Sequence, residues 1–234
     1  MQGIRNIHLK ALFLLLILAS VCISSFAQED TLSMFYPVQD TLEDNFGLFE
    51  SDDLLELTLR FDISWFMKNK PEEEYIDAIL TYHLNEIDSV NKSIRLRSRG
   101  NFRHRTCPFP PIMINLGKSR LGYRDLSSIK NIKLVTHCRQ SKLYEDYMLK
   151  EYLAYKLYNV VTDFSFRVRL LKINYIDLGN RGLTFTNFAF LIEPVDMLEA
   201  RMNSVEIEDV QIGVGNLEED WADKVGMFQL LIGN

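Results

Sequence analysis

Residues 54–62 read LLELTLRFD, and this stretch carries the clearest structural signal in the chain. Apolar side chains occupy the odd positions from Leu55 to Phe61, and polar or charged side chains occupy the even positions from Glu56 to Asp62. Alternation with a period of two is typical of a β-strand that buries one face. The sequence therefore predicts a half-buried strand at 54–62.

The chain around this stretch shows further strand and helix patterns. Leu149, Leu153 and Leu157 recur every four positions and are flanked by Met148, Tyr152 and Tyr155, which predicts a helix over 141–160 with a broad apolar face. Other helices are predicted at 194–202 and 221–232, and other strands at 75–84, 93–99, 112–116, 130–135, 167–176 and 184–192. The expected fold is α+β, a mostly antiparallel sheet with one long packed helix.

The N-terminus has the layout of a secretory signal peptide. Arg5 and Lys10 precede an apolar run at 11–23, and Ser25-Phe26-Ala27 offers a cleavage site with small flanking residues. Lipid attachment at Cys22 is an alternative that the large Val21 disfavours. We expect residues 1–27 to be removed and the protein to be exported, to the periplasm, the cell surface or the medium, with no membrane span afterwards.

Charge divides the rest of the chain into two zones. Residues 28–91 hold sixteen acids and three bases, whereas residues 92–142 hold thirteen bases and one acid, in a chain of net charge −6. The two zones could face and neutralise each other, or the basic zone could bind an anion. Nucleic acid is not an expected partner, because the protein is acidic and predicted to be exported.

The basic zone contains a strand that aligns its arginines. Arg95, Arg97 and Arg99 fall on alternate positions, so their side chains would stand about 6.5–7 Å apart on one face. Gly100-Asn101 then turns the chain towards Arg103. One phosphate can accept hydrogen bonds from two neighbouring guanidiniums. The pattern predicts a phosphate or nucleotide site, with a sheet face paired to internal acids as the alternative.

Two cysteines follow the predicted signal peptide, Cys107 and Cys138. In an exported protein such a pair is most simply a disulfide. A zinc site with the adjacent His104 and His137, and free thiols, are the alternatives. The sequence contains no HExxH, GxSxG or Walker-type motif.

Several short segments together resemble the spore-coat CotH-type kinase-like family across residues 54–234, after an acidic lead-in at 28–53. These segments are Arg99-Gly100-Asn101, the helix at 141–160, the strand at 166–176 and the sequence FLIEPVD at 190–196. The resemblance implies a fold like the N-lobe of an atypical protein kinase. It also implies ATP with Mg²⁺ as cofactors, and phosphoryl transfer to secreted or surface proteins.

By the same resemblance, Arg97, Arg99 or Lys133 would grip phosphate, and Glu151 would orient that base. Glu193 would lie at the position of a nucleotide hinge, although a structural role, such as binding a helix N-terminus, is favoured for it. The alternatives are an exposed strand lysine for Lys133 and a solvated, i,i+4-paired helix residue for Glu151.

The chain also departs from the family pattern. CPFPP at 107–111 replaces a Pro-Lys-Lys element, and a catalytic Gly-Asn-x-Asp segment would start only at Gly233-Asn234. The expected function is therefore the nucleotide-binding part of an exported kinase, incomplete and inactive as given. The alternative is a non-catalytic exported module that holds an anionic partner.

Overall fold

A computed structural model describes residues 48–83, 89–117, 120–121, 124–125, 130–179, 181–207, 213, 215 and 218–233. These residues all belong to one compact unit, Leu42–Asn234. The predicted signal peptide at 1–27 and most of the acidic lead-in, residues 28–47, lie outside the described residues. Both therefore stay predictions.

The expected strands and helices lie close to their predicted ranges, and four short elements at 63–69, 102–106, 120–121 and 124–125 are additional. The strands are β1 (Leu55–Phe61), β2 (Ile76–His83), β3 (Ser89–Ser98), β4 (Ile112–Asn115), β5 (Arg120–Leu121), β6 (Arg124–Asp125), β7 (Asn131–Val135), β8 (Val168–Asp177) and β9 (Thr184–Ile192). The helices are α1 (Ile63–Asn69), α2 (Phe102–Thr106), α3 (Lys142–Val161), α4 (Val195–Met202) and α5 (Glu219–Ile232). Within the described ranges, each helix is too short or too polar to traverse a lipid bilayer.

Seven of these strands close into a barrel in the order β1-β2-β3-β4-β7-β9-β8. β1 and β8 run parallel, with partners from Leu55↔Leu171 to Phe61↔Asp177, and this pairing closes the barrel. The other neighbouring pairs are antiparallel. The strand predicted from LLELTLRFD is confirmed, and it forms the seam of the barrel.

The expected fold class is wrong. The chain forms a closed, mixed seven-stranded β-barrel with a few helices outside it, instead of an α+β sheet with a long packed helix like a kinase N-lobe. Alternation identifies which segments are strands, but it does not say which distant strands pair. The parallel pairing of β1 with β8 joins segments more than one hundred residues apart, and no local pattern in the sequence encodes it.

The barrel interior is packed with the apolar side chains that alternate along the strands. On β1, Leu57, Leu59 and Phe61 are 6%, 1% and 0% exposed. On β3, Ile94 and Leu96 point inward, so the arginines between and after them point outward. The predicted one-face burial is therefore confirmed for both strands.

α3 covers part of the barrel's outer wall through aromatic side chains. Tyr152 and Tyr155 place their rings 5.8 and 5.7 Å from that of Phe190 on β9. Leu153 and Leu157, predicted to form the buried stripe, are 54% and 51% exposed. The prediction is wrong for these two residues, whereas Met148, Tyr152 and Tyr155 of the same predicted face do pack towards the barrel.

α1 covers the barrel end at which β1 and β8 finish, and Asp177 fixes its first turn. Asp177 Oδ1 accepts hydrogen bonds from the N–H groups of Ile63 (2.7 Å) and Gly179 (3.1 Å), and Oδ2 accepts one from the Ser64 hydroxyl (3.0 Å). Burial alone would raise the pKa of Asp177, but these bonds together lower it. The carboxylate therefore stays ionised at the helix N-terminus, where negative charge is favourable.

Candidate functional site

The outer face of β3 carries Arg95 and Arg97, and Arg99, which was expected on the same strand, follows its last residue, Ser98. Arg97 lies opposite Met113 on β4, and Met113 lies opposite Lys133 on β7. Residues in register across neighbouring strands share a face, and strands are spaced by about 4.8 Å. Lys133 therefore lies about 10 Å from Arg97 along the sheet, on the same outer face.

A sharp turn after β3 returns the chain towards this face. Gly100 has φ +89°, a backbone conformation that favours glycine, and it leads directly into α2. On α2, Arg103 forms an ion pair with Glu151 of α3 at 2.8 Å and donates a second hydrogen bond to the carbonyl of Thr136. The Arg-Gly-Asn turn thus brings Arg103 from the end of one strand to the side of the long helix.

We call the resulting set Arg99, Arg103, Lys133, Glu151 and Tyr155 the basic groove, which lies between the sheet and α3. Burial is the largest cause that lowers the pKa of Arg99; Tyr155 and Glu151 oppose this effect, and Arg103 adds to it. Burial also lowers the pKa of Lys133, with a further contribution from Arg99 that Glu206 opposes. The cations therefore act on one another at close range.

The pKa of Glu151, the carboxylate of the groove, shifts in the opposite direction to the pKa values of Arg99 and Lys133. Burial raises the pKa of Glu151, and Arg103 and Arg99 oppose that rise. The Glu151 side chain is still 41% exposed, so its bond to Arg103 contributes only about 0–1 kcal/mol to stability. Glu151 is the carboxylate of the groove, and two cationic side chains, Arg103 and Arg99, act on it.

Three carboxylates of the acidic zone pair with bases outside the groove. Asp52, Glu56 and Glu72 pair with Lys156, Lys172 and His104. Among the described residues, the Arg99 side chain forms neither a hydrogen bond nor an ion pair. The acids at 28–47 and 84–88 lie outside the described residues, so pairing of the arginines with early acids stays an alternative.

Arg97 belongs to the same face but is held at its edge. Arg95 and Arg97 lie over the ring of Tyr75, at 5.4 and 5.3 Å from its centroid, and Arg97 also donates to the backbone carbonyl of Glu72. Cation–π contacts leave the guanidinium charge uncompensated. These two arginines therefore extend the positive face along β3.

Glu193 is not brought into the groove. Its side chain is 1% exposed, and its two oxygens accept hydrogen bonds from Arg201, at 3.2 and 2.9 Å, and from the backbone N–H of Arg167 at 3.0 Å. Arg201 also donates to the carbonyls of Asp163 and Ser165. Glu193 thus joins β9 to α4 and to the start of β8, which is a structural role.

A cavity of about 410 Å³ adjoins the Arg103–Glu151 pair, and sequence reasoning did not identify it. Its aromatic lining consists of Phe102, Tyr144 and Tyr147, of which Phe102 is 73% exposed and Tyr147 is 52% exposed. The signal available in the sequence was Phe102, an aromatic residue between the Arg99-Gly100-Asn101 turn and Arg103. The cavity provides a flat apolar surface next to the cations.

A disulfide joins the residue after α2 to the segment after β7. Cys107 and Cys138 are joined, with an S–S distance of 2.15 Å, and both residues line the cavity. The predicted pairing is therefore present, and the alternatives with zinc or with free thiols do not apply. Among the described residues, no group of three or more His, Cys, Asp or Glu side chains is arranged to hold a metal ion.

Comparisons of the chain with protein-family models, with curated proteins and with solved structures found no match. Membership of the CotH-type family therefore stays a prediction from the sequence.

Proposed function

We propose that the basic groove binds the phosphate groups of a nucleotide such as ATP. The observation that carries this proposal is Arg99, half-buried beside Arg103 and Lys133 and without an ion-pair partner among the described residues. Phosphate oxygens accept several charge-assisted hydrogen bonds at once, and guanidinium groups match their geometry. A bound phosphate would offset the mutual repulsion of these cations.

The aromatic cavity supports a nucleotide over free phosphate. It lies beside Arg103, which belongs to both the cavity lining and the groove. A purine base could stack on Phe102 or Tyr147 while its phosphates contact Arg99 and Lys133. Stacking of a base on an aromatic side chain contributes about 1–3 kcal/mol.

The proposal concerns binding, within an exported phosphotransferase of the kind that the CotH resemblance implies. The residues of the groove do not fit Mg²⁺, which takes oxygen ligands, because Glu151 is the carboxylate there and is bonded to Arg103. Phosphoryl transfer also needs a carboxylate that orients the attacking hydroxyl. We therefore derive no transfer step from the groove, and a secreted or surface protein as acceptor belongs to the same resemblance.

Calorimetric titration of the full chain with ATP and with tripolyphosphate tests the proposal. Arg99→Met should weaken both ligands about tenfold or more, because a hydrogen bond to a charged group contributes about 1.5–3 kcal/mol. Phe102→Ala should weaken ATP and leave tripolyphosphate unchanged. Arg105→Met is the matched control, since Arg105 is an exposed base on α2 whose side chain contacts Asn101.

Two outcomes would overturn the proposal. One is that neither ligand binds at millimolar concentration. The other is that Arg99→Met and Arg105→Met weaken ATP equally, which would show that general positive charge and not the groove governs binding.

A second candidate function is an exported module that binds a long polyanion, such as an acidic polysaccharide or protein. Arg95 and Arg97, stacked on Tyr75, favour it because they continue the positive face beyond the groove. Arg95→Met should then weaken a sulfated polysaccharide and leave ATP affinity unchanged. If it alters neither ligand, the extended face has no role in binding.

A further inference from the structure

A second site lies at the barrel end covered by α1, where an aromatic cluster surrounds His137. The His137 ring stacks on Phe109 at 5.1 Å with an interplanar angle of 19°, and its edge meets Phe185 at 5.6 Å. Phe185 in turn stacks on Tyr175 at 5.0 Å. None of these side chains belongs to the basic groove.

Two polar side chains in this cluster have no hydrogen-bond partner among the described residues. They are His137, at both Nδ1 and Nε2, and Tyr175 at its hydroxyl. His137 is 1% exposed and Tyr175 is 0% exposed, and their ring centroids lie 6.0 Å apart. Buried polar atoms are nearly always hydrogen-bonded, so unpaired ones in an aromatic cluster require an explanation.

A cavity of about 280 Å³ opens beside the imidazole. Its apolar lining comes from α1, from the segment before β4 and from the start of β9, and His137 is its buried polar side chain. The lining consists of Met67, Pro108, Phe109, His137, Cys138, Leu183 and Phe185, together with the exposed polar residues Arg139, Gln140 and Thr184. Mostly apolar walls with one or two polar groups are the usual composition of a small-molecule site, and the volume is close to the lower end of such sites.

We propose that this cavity binds a small, neutral, ring-shaped molecule with one hydroxyl group, of the phenol type, which hydrogen-bonds to the imidazole of His137. Burial, with a smaller contribution from Arg103, lowers the pKa of His137 to about 4, so the ring is neutral at physiological pH. A neutral imidazole offers one donor and one acceptor, and a hydroxyl complements either. The aromatic rings of Phe109 and Phe185 in the lining favour a flat ring, and the apolar side chains around His137 disfavour a charged group next to the imidazole.

Titration of the full chain with phenol and with benzene, followed by calorimetry and by the ¹⁵N resonances of the His137 ring, tests this proposal. Benzene matches phenol in shape but lacks the hydroxyl. Phenol should bind at least tenfold more tightly than benzene and should shift a His137 nitrogen resonance. His137→Phe should retain the ring stacking and abolish the preference for phenol.

A second variant guards against misfolding of the first. Leu183 lies at the rim and is 38% exposed, so Leu183→Trp should fill the cavity without disturbing the core and should abolish binding of both probes. ATP affinity should be unchanged in both variants, which separates this site from the groove. Absence of phenol binding, equal affinity for phenol and benzene, or a phenol preference that survives in His137→Phe would overturn the proposal.

Discussion

The Arg103–Glu151 pair and the Arg201–Glu193 pair have the same chemistry and nearly the same length, 2.8 and 2.9 Å, but they lie in different surroundings. Glu193 is 1% exposed and both of its oxygens are engaged, whereas Glu151 is 41% exposed and faces more than one cation. The first pair is internally satisfied, and the second belongs to a site with excess positive charge. The difference separates charge that holds the fold from charge that is available to a ligand.

Removing either carboxylate should lower the free energy of unfolding, but by very different amounts. Glu193→Ala should lower the free energy of unfolding by about 3–5 kcal/mol, because it leaves the Arg201 guanidinium with a buried, uncompensated charge. Glu151→Ala should lower it by less than about 1 kcal/mol, because that pair is exposed to solvent. Urea denaturation measures both. Equal losses in the two variants would contradict the distinction.

His137 is a buried group that stays neutral, and its titration should make stability depend on pH. The pKa of His137 is about 4 in the folded protein, below its ordinary value of 6.5, and Arg103 is the charged neighbour that contributes to this. The unfolded chain therefore binds more protons between these pH values. Stability is fully present above pH 6.5 and falls as the pH drops towards 4, by about 3 kcal/mol in total.

The variant His137→Phe isolates this effect from the titration of carboxylates. It keeps the stacked contact with Phe109 and removes the titrating group. Between pH 6.5 and 4, the unfolding free energy of the wild type should fall more steeply than that of the variant. Parallel pH profiles would show that His137 is not buried as a neutral ring.

The smallest effect is expected at an exposed pair on the barrel wall. Lys172 and Glu56 lie 3.1 Å apart, with side chains 44% and 59% exposed. Lys172→Met should change the free energy of unfolding by no more than about 0.5–1 kcal/mol. Thermal denaturation measures this change, and a loss as large as that of Glu193→Ala would mean that exposure does not govern the strength of these pairs.

The sequence predicted the local part of this structure and missed the long-range part. Alternation placed Leu57 and Leu59 inside and the β3 arginines outside, since side-chain direction follows from strand geometry alone. It could not reveal the parallel β1–β8 pairing, which depends on segments far apart in the chain. The fold class expected from the strand and helix patterns and from the family resemblance was wrong, because neither shows that these strands close into a barrel.

The candidate site, like the fold, could be predicted from the sequence only in part. From the sequence, Arg103 was expected beyond the Arg-Gly-Asn turn, on the far side from Arg99, whereas in the structure both residues act on Glu151. Nothing local identified Arg201, on the next helix, as the partner of Glu193, or indicated that Tyr144 and Tyr147 would line the cavity beside Arg103. The unpaired nitrogens of His137 depend on how Phe109 and Phe185 pack around it, which only the folded chain shows.

The thermal stability of Arg99→Met, with and without ATP, tests the central claim most directly. If the groove holds excess positive charge for a phosphate, removing Arg99 relieves repulsion of about 1 kcal/mol. The ligand-free variant should then unfold about 2–4 °C above the wild type. ATP should stabilise the wild type and have little effect on the variant. A ligand-free variant that unfolds below the wild type and is still stabilised by ATP to the same extent would contradict the account.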